Sequence, residues 1–408
     1  MTSVSFGGLL VVALIALAAP LLVSLAPRAR IPADVVAIVA GIVVGPSVLG
    51  WVKLDTPIGV LALLGLAFLL FLAGAELDLN RLRGPLLRLA GTGFLISVGI
   101  GVIAGLAFHA AGYVRSPFLL AVALSATSLG LVVPILKDAG QLERDLGQLV
   151  VAAASVADFG AILLLSFFFS ESGSGIAVKL VLVGGLVLLV AAVALGLSRL
   201  NMSMGVSALL TRLQDTTAEI RVRIAIVLLV GFVAVAQKIG LEAILGAFLA
   251  GAILAATDRD TMSHPHFRAK LDAIGYGFLV PVFFVASGIR FDLQALTDSP
   301  SAFARVPLFL LALLVVRGLP AALYTRRVGR RSSVAAGLLQ ATSLPFLVTA
   351  VQIGLSTGTV SPATGAALIF AGLLSVVIFP VGALALLGRG TAAEPTDDGL
   401  PLRQPSPA

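Results

Sequence analysis

Asp158 is the only charged residue between Asp145 and Glu171, and it stands at the centre of the apolar stretch Val150-Val151-Ala152-Ala153-Ala154-Ser155-Val156-Ala157-Asp158-Phe159-Gly160-Ala161-Ile162-Leu163-Leu164-Leu165. A charge at bilayer mid-depth costs about 2.5 to 3.5 kcal/mol, so such a residue faces an internal cavity and has a job. The competing reading is a structural carboxylate paired with an internal base. Ser155 lies three residues earlier on the same helical face. A carboxylate beside hydroxyls and free carbonyls is a hard-oxygen site for a small cation with no d-electron preference. Burial favours the neutral form of a carboxyl group and an adjacent cation favours the charged form, so proton and metal ion compete for one acid. That competition is an exchange chemistry. If a mobile bundle presents the shared acid to either face, the result is one-for-one antiport.

The hydroxyls come from an element that occurs twice. Ala126-Thr127-Ser128-Leu129 is followed by Gly130 and Pro134, and Ala341-Thr342-Ser343-Leu344 by Pro345. Proline removes a backbone donor and glycine weakens a helix, so both spans are expected to break at mid-depth, freeing carbonyls and half-helix termini for ions. The bland alternative is a proline kink with Ser and Thr bonded to their own helix. Two such kinks at matched positions favour a site made of Asp158, Ser155, Thr127, Ser128, Thr342 and Ser343.

These residues sit in a chain that is 59% hydrophobic and 12% charged, with a mean hydropathy of +1.11. No soluble surface tolerates that composition over 408 residues. The expected class is an all-α polytopic membrane protein. Cys is absent, which excludes disulfides, thiolate metal sites and thiol catalysis. His109, His264 and His266 are scattered, so a zinc site is not expected. The net charge of +7 sits in short loops rather than on one basic face, which argues against a nucleic-acid partner. No glycine-rich phosphate loop follows a strand, so nucleotide-driven pumping is not supported.

Apolar runs of about 17 to 25 residues predict about thirteen spans. They lie near 6–25, 33–50, 57–77, 86–112, 118–137, 146–170, 175–198, 221–239, 241–257, 271–290, 302–325, 334–356 and 362–387. The first run has no Lys or Arg before it and is expected to be a retained helix rather than a cleaved signal peptide. Loops after odd-numbered spans hold most of the basic residues, among them Arg28, Arg30, Arg81, Arg83, Arg326 and Arg327. Loops after even-numbered spans hold only Lys53, Arg115, Lys179, Lys238 and Arg305. The N-terminus is therefore expected outside and the C-terminus in the cytoplasm. The stretch 390–408 is polar and proline-rich, and is expected to be a disordered tail behind a membrane domain spanning 1–389.

Three matched pieces recur at an offset of about 210 to 215 residues, larger than any solenoid repeat. Ala37-Ile38-Val39-Ala40-Gly41 answers Ala247-Phe248-Leu249-Ala250-Gly251, Gly74-Ala75-Glu76-Leu77-Asp78-Leu79 answers Gly288-Ile289-Arg290-Phe291-Asp292-Leu293, and the two Ala-Thr-Ser-Leu elements answer each other. They pair spans 2 and 9, 3 and 10, and 5 and 12. Each separation is odd, so the copies cross in opposite directions. The expectation is an inverted-topology repeat, about 31–198 against about 240–387, of the kind that secondary transporters use.

Other intramembrane charges need partners. Arg317 is central to span 11 and is expected to pair with a core carboxylate in a structural role. Glu76 ends span 3 and Glu242 begins span 9; each is either a solvated helix end or that partner. Arg290, also at a helix end, is placed to snorkel.

With these pieces in view, the chain resembles the monovalent cation:proton antiporter superfamily, in particular its Kef-type and bacterial sodium/proton exchanger branch. The resemblance rests on Ile31-Pro32 through Gly45-Pro46-Ser47-Val48-Leu49-Gly50, Phe71-Leu72-Ala73-Gly74-Ala75-Glu76-Leu77-Asp78, Ser125-Ala126-Thr127-Ser128, Gly246-Ala247-Phe248-Leu249-Ala250-Gly251, and Gln340-Ala341-Thr342-Ser343-Leu344-Pro345. It implies a mobile ion-binding core and a dimer-forming scaffold in a bacterial plasma membrane. It also implies that Asp158 alternately carries a proton and a sodium or potassium ion, supported by Thr127, Ser128 and the second crossing helix, with no cofactor. Members that move net charge commonly carry two adjacent acids where this chain has Ala157-Asp158, which favours electroneutral exchange. Kef-type members often end in a cytoplasmic nucleotide-binding domain, so gating of that kind would need a separate regulatory subunit. The alternatives are a cation-coupled carrier of a small organic solute, an intramembrane aspartyl hydrolase, which needs a carboxylate pair, and a non-transporting receptor or assembly factor, which leaves the repeat unexplained.

Overall fold

The computed structural model describes residues 5–25, 32–76, 85–169, 176–201, 219–257, 265–298 and 300–387. The expected tail and the basic loops 26–31 and 77–84, with Asp78, Arg81 and Arg83, lie outside the described residues. Among the described residues the chain is helical and has no strand.

The helices are α1 (Phe6–Leu25), α2 (Ala33–Val44), α3 (Thr56–Ala75), α4 (Pro85–Ala110), α5 (Pro117–Ser125), α6 (Leu129–Asp138), α7 (Asp145–Phe169), α8 (Ile176–Asn201), α9 (Ile220–Lys238) and α10 (Ala243–Thr257). There follow α11 (Pro265–Ile274), a π turn (Gly275–Leu279), α12 (Val280–Ile289), the short α13 (Leu293–Thr297) and α14 (Pro300–Leu313). A second π turn (Leu314–Gly318) and a 3-10 segment (Leu319–Tyr324) lead into α15 (Thr325–Gln340), α16 (Pro345–Ser356) and α17 (Pro362–Leu387).

Local chemistry sets several boundaries. The Asp55 carboxylate accepts from the Ile58 N–H at 3.0 Å and Pro57 follows, so α3 starts there. Ser116 and Pro117 start α5 in the same way, the Ser116 hydroxyl accepting from the Leu119 N–H at 3.3 Å. The π turns stand just before Pro281 and Pro320, neither of which can donate to the carbonyl four residues back; a wider turn accommodates the missing bond. Gly329 takes φ 78° and ψ 163°, a region essentially closed to side chains, and so bends the chain between the basic pairs Arg326-Arg327 and Arg330-Arg331.

Among the described residues, eight helical stretches are long and apolar enough to cross a bilayer. They are α1, α3, α4, α7, α9, the α11–α12 run Phe267–Ile289, the run Pro300–Gln340, and α17. The other five expected spans fall on shorter apolar helices: Ala33–Val44, Pro117–Val133, Gly184–Gly196, Ala243–Ala256 and Pro345–Ser356. Span 2 is shorter than expected because its helix stops before Gly45-Pro46. Span 5 breaks at 126–128 and span 12 at 342–344. The first break precedes Gly130 and Pro134, both of which lie within α6.

Packing sorts the helices into two groups. In one, α2 lies on α12, α3 on α10 and α12, α10 on α8 and α9, and α1 on α2; in the other, α4, α5 and α7 pack with α15, α16 and α17, and α14 packs on α17. Glycines set two close crossings of the first group. A methyl on Gly41 would meet the Val285 carbonyl oxygen and one on Gly288 would meet that of Ile38, so α2 and α12 touch backbone to backbone. Gly74 and Gly251 stand in the same relation to the carbonyls of Phe248 and Phe71, joining α3 to α10. Gly41 and Gly251, and Gly74 and Gly288, occupy matched places in the sequence repeat. The two crossings therefore exchange under the repeat.

Candidate functional site

The non-helical segments 126–128 and 342–344 meet where the two broken spans cross. Ser128 N–H donates to the Thr342 carbonyl at 3.0 Å, and Thr127 Oγ1 donates to the Gln340 carbonyl at 2.8 Å. Backbone groups that a continuous helix would satisfy internally are thus bonded across the crossing, which lets irregular chain persist inside the protein.

Asp158 approaches this crossing from α7. Its Oδ2 accepts from the Leu129 N–H, the first residue of α6, at 3.3 Å. Ser128, in the N-cap position, makes no side-chain cap bond. The carboxylate therefore supplies the anionic cap of a half-helix, at its positive end. Asp158 Oδ1 is buried and has no hydrogen-bond partner. A small cavity adjoins this acid; Thr127, Ser128, Asp158, Asp34, Glu76 and Tyr276 supply its polar lining, and Leu69, Ile162 and Phe284 are among its apolar walls.

Three of the six expected site residues, Asp158, Thr127 and Ser128, line this cavity. The other three do not. Ser155 Oγ donates back to the Val151 carbonyl at 2.9 Å, and Thr342 Oγ1 to that of Leu338 at 3.3 Å. Ser343 is held through its backbone, its N–H donating to Ser375 Oγ at 3.3 Å and its carbonyl accepting from the same hydroxyl at 3.3 Å. The second crossing segment contributes a carbonyl, that of Thr342, in place of its hydroxyls.

The expected carboxylate partner of Arg317 is corrected by the geometry. Arg317, 1% exposed, donates from Nε to Thr127 Oγ1 at 2.8 Å and from Nη1 to Ser97 Oγ at 3.1 Å, while Nη2 has no partner. Glu76 is instead paired with Arg268 at 2.8 Å. The Glu242 backbone N–H donates to Ser166 Oγ at 3.3 Å, and Glu242 does not line the cavity. Hydroxyls can serve because a guanidinium needs oriented acceptors as well as countercharge. Sequence reasoning missed Ser97, Asp34 and Tyr276. An acid in the first turn of an apolar helix was the available signal for Asp34; nothing in the chain marks Ser97 or Tyr276. Among the described residues no cluster of three or more His, Cys, Asp or Glu could hold a metal ion.

A family comparison decides the class: the transmembrane model of the sodium/hydrogen exchanger family matches residues 12–387. The chain belongs to the sodium/hydrogen exchanger family. It is similar to YjbQ of Bacillus subtilis (strain 168), named provisionally as a Na(+)/H(+) antiporter, with 30% identity over 400 residues that cover 93% of this chain and 63% of that protein. This chain thus spans under two thirds of the length of YjbQ. It is also similar to the Na(+)/H(+)-K(+) antiporter GerN of Bacillus cereus, 29% identical over 289 residues, covering 69% of this chain and 71% of that one. The sodium proton antiporter of Methanocaldococcus jannaschii solved at pH 8 shares the fold, with a TM-score of 0.64 at 16% identity, covering 93% of this chain and 97% of that chain. Sodium/hydrogen exchangers are multi-pass membrane transporters, not enzymes. The organic-solute alternative finds no support among these relatives.

Proposed function

We propose that this sodium/hydrogen exchanger family member is a secondary antiporter that exchanges sodium or potassium for protons, with Asp158 as the shared carrier. The observation that carries the reading is the buried, unpartnered Asp158 Oδ1 beside a cavity at the crossing of two broken helices. An unsatisfied buried carboxylate oxygen is costly, and a proton or a cation relieves that cost in turn. Thr127 and Ser128, in the cavity lining, supply oxygen ligands of a kind that suits both alkali ions, and the name of GerN joins sodium, potassium and protons. Ala157 leaves Asp158 without a neighbouring acid, which supports one proton for one cation and electroneutral exchange.

The basic loops support an outside N-terminus and a cytoplasmic C-terminus in a bacterial inner membrane. In that orientation the cavity mouth, at the start of α2 and the end of α3, faces the cytoplasm. The α4–α7 and α14–α17 group is the candidate mobile core, and the group of α1–α3 and α8–α12 the candidate scaffold and homodimer surface. In proteoliposomes with an imposed pH gradient, sodium or potassium should collapse the gradient for the wild type and not for Asp158→Asn. Persistent exchange in that variant refutes the reading.

A further inference from the structure

Arg268 belongs to α11 and reaches the wall of the ion cavity from outside the crossing. Its Nη2 lies 2.8 Å from Glu76 Oε1, and Glu76 lines the cavity together with Asp34, Tyr276 and Asp158. Its Nε is 3.8 Å from Asp272 Oδ2, one turn further along the same helix. The Arg268 side chain is 47% exposed and that of Glu76 21%. The ion pair thus sits at the water-facing end of the route whose inner end is Asp158.

A cation moving from water to Asp158 passes Asp34 and Glu76 in the cavity lining, and among the described residues Arg268 is the guanidinium paired with Glu76, with Asp272 on its other side. We infer that Arg268 is a positioning residue for transport: a tethered positive charge that neutralises Glu76 and sets how strongly the cavity mouth concentrates cations. The inference rests on the antiport reading. Its physical basis is that a cleft lined by one sign of charge raises the local concentration of the opposite ion, an effect that begins at about tenfold. The half-exposed position of Arg268 places it at that lower end and makes it sensitive to screening.

This role differs in sign from a merely structural one. If the pair only held α11 against α3, losing either partner would weaken the protein alike. If Arg268 acts through the charge of Glu76, the two losses push cation affinity in opposite directions, because Arg268→Gln bares a carboxylate and Glu76→Gln bares a guanidinium.

The test uses full-length protein in proteoliposomes and measures KM and kcat for sodium and for potassium at low ionic strength. Arg268→Gln should lower KM by about tenfold while kcat moves less, Glu76→Gln should raise KM, and Arg268→Lys should restore the wild-type value. The double variant should lie near wild type, and choline chloride should shrink the differences as the Debye length falls below about 8 Å. The midpoint of cation-induced thermal stabilisation in detergent should follow the same order without any transport. Equal or same-direction shifts for Arg268→Gln and Glu76→Gln overturn the inference. Stabilisation midpoints that follow this order across the variants of a protein that exchanges no cation refute the antiport reading and uphold only the effect of Arg268 on cation binding; cation-independent stability in every variant overturns both.

Discussion

Arg317 Nε donates to Thr127 Oγ1 at 2.8 Å, and the same hydroxyl donates to the Gln340 carbonyl at 2.8 Å. One threonine thus joins the π turn of one span to both broken spans. Thr127→Val keeps the shape and removes both bonds, leaving the buried guanidinium with Ser97 alone. The expected cost is about 1 to 3 kcal/mol. It should appear as a lower Tm of the detergent-solubilised protein, with Thr127→Ser largely retaining the wild-type value. Equal Tm values for the wild type and Thr127→Val would show that Thr127 does not hold the crossing.

Gly251 lets α10 touch α3. A methyl there would meet the Phe71 carbonyl oxygen and the Ala75 backbone nitrogen, neither of which can swing away. Gly251→Ala should therefore cost about 1 to 3 kcal/mol through overpacking. Gly184, inside α8, has nothing within 4 Å of the same methyl. There alanine should stabilise by about 0.5 to 1 kcal/mol, since it removes only glycine's backbone entropy. Thermal unfolding of the two variants side by side checks the pair, and the contrast fails if both shift Tm in one direction.

Competition for a single carboxylate fixes the form of the pH response. Above the carrier's ionisation range the cation meets a free carboxylate and KM is flat. Below it, each proton bound removes one cation site, so KM should rise about tenfold per pH unit as pH falls. Rates against cation concentration at several matched internal and external pH values would display this slope. A dependence near the second power of proton concentration would mean that a second acid takes part, and Glu76 and Asp34 are the cavity-lining candidates.

One cation for one proton moves no net charge. Exchange rates in proteoliposomes clamped at different potentials with potassium and valinomycin, sodium being the exchanged ion, should coincide. For comparison, one uncompensated charge per cycle couples at about 2.3 kcal/mol per 100 mV. A steep rise of rate with voltage would reject the inference drawn from Ala157.

Much of the fold is legible in the residues because membrane helices announce themselves by apolar length. An internal repeat is legible too, since Gly41 and Gly251, and Gly74 and Gly288, stand in matched words. What the words do not say is that Gly41 meets Gly288 and Gly74 meets Gly251. That exchange is a property of how the helices cross. The breaks also differ in kind: proline and glycine point to spans 5 and 12, but the chain opens just before Leu129, where the Asp158 carboxylate is available to cap the exposed N–H.

The site divides along the same line. Asp158 is conspicuous from sequence because its charge is expensive where it stands, and the two Ala-Thr-Ser-Leu elements are conspicuous because helix breakers follow them. The partner of Arg317 lies 190 residues away in the chain, so no local pattern could choose between a carboxylate and the hydroxyls of Thr127 and Ser97. Ser155 has the right spacing, yet its hydroxyl is satisfied by its own helix. Asp34 and Tyr276 reach the cavity only because α2 is packed on α12 and the π turn after α11 on α3. Burial cost and helix-breaking chemistry are local and so belong to the sequence; which oxygen faces which cavity depends on contacts between distant segments, and only the tertiary structure decides it.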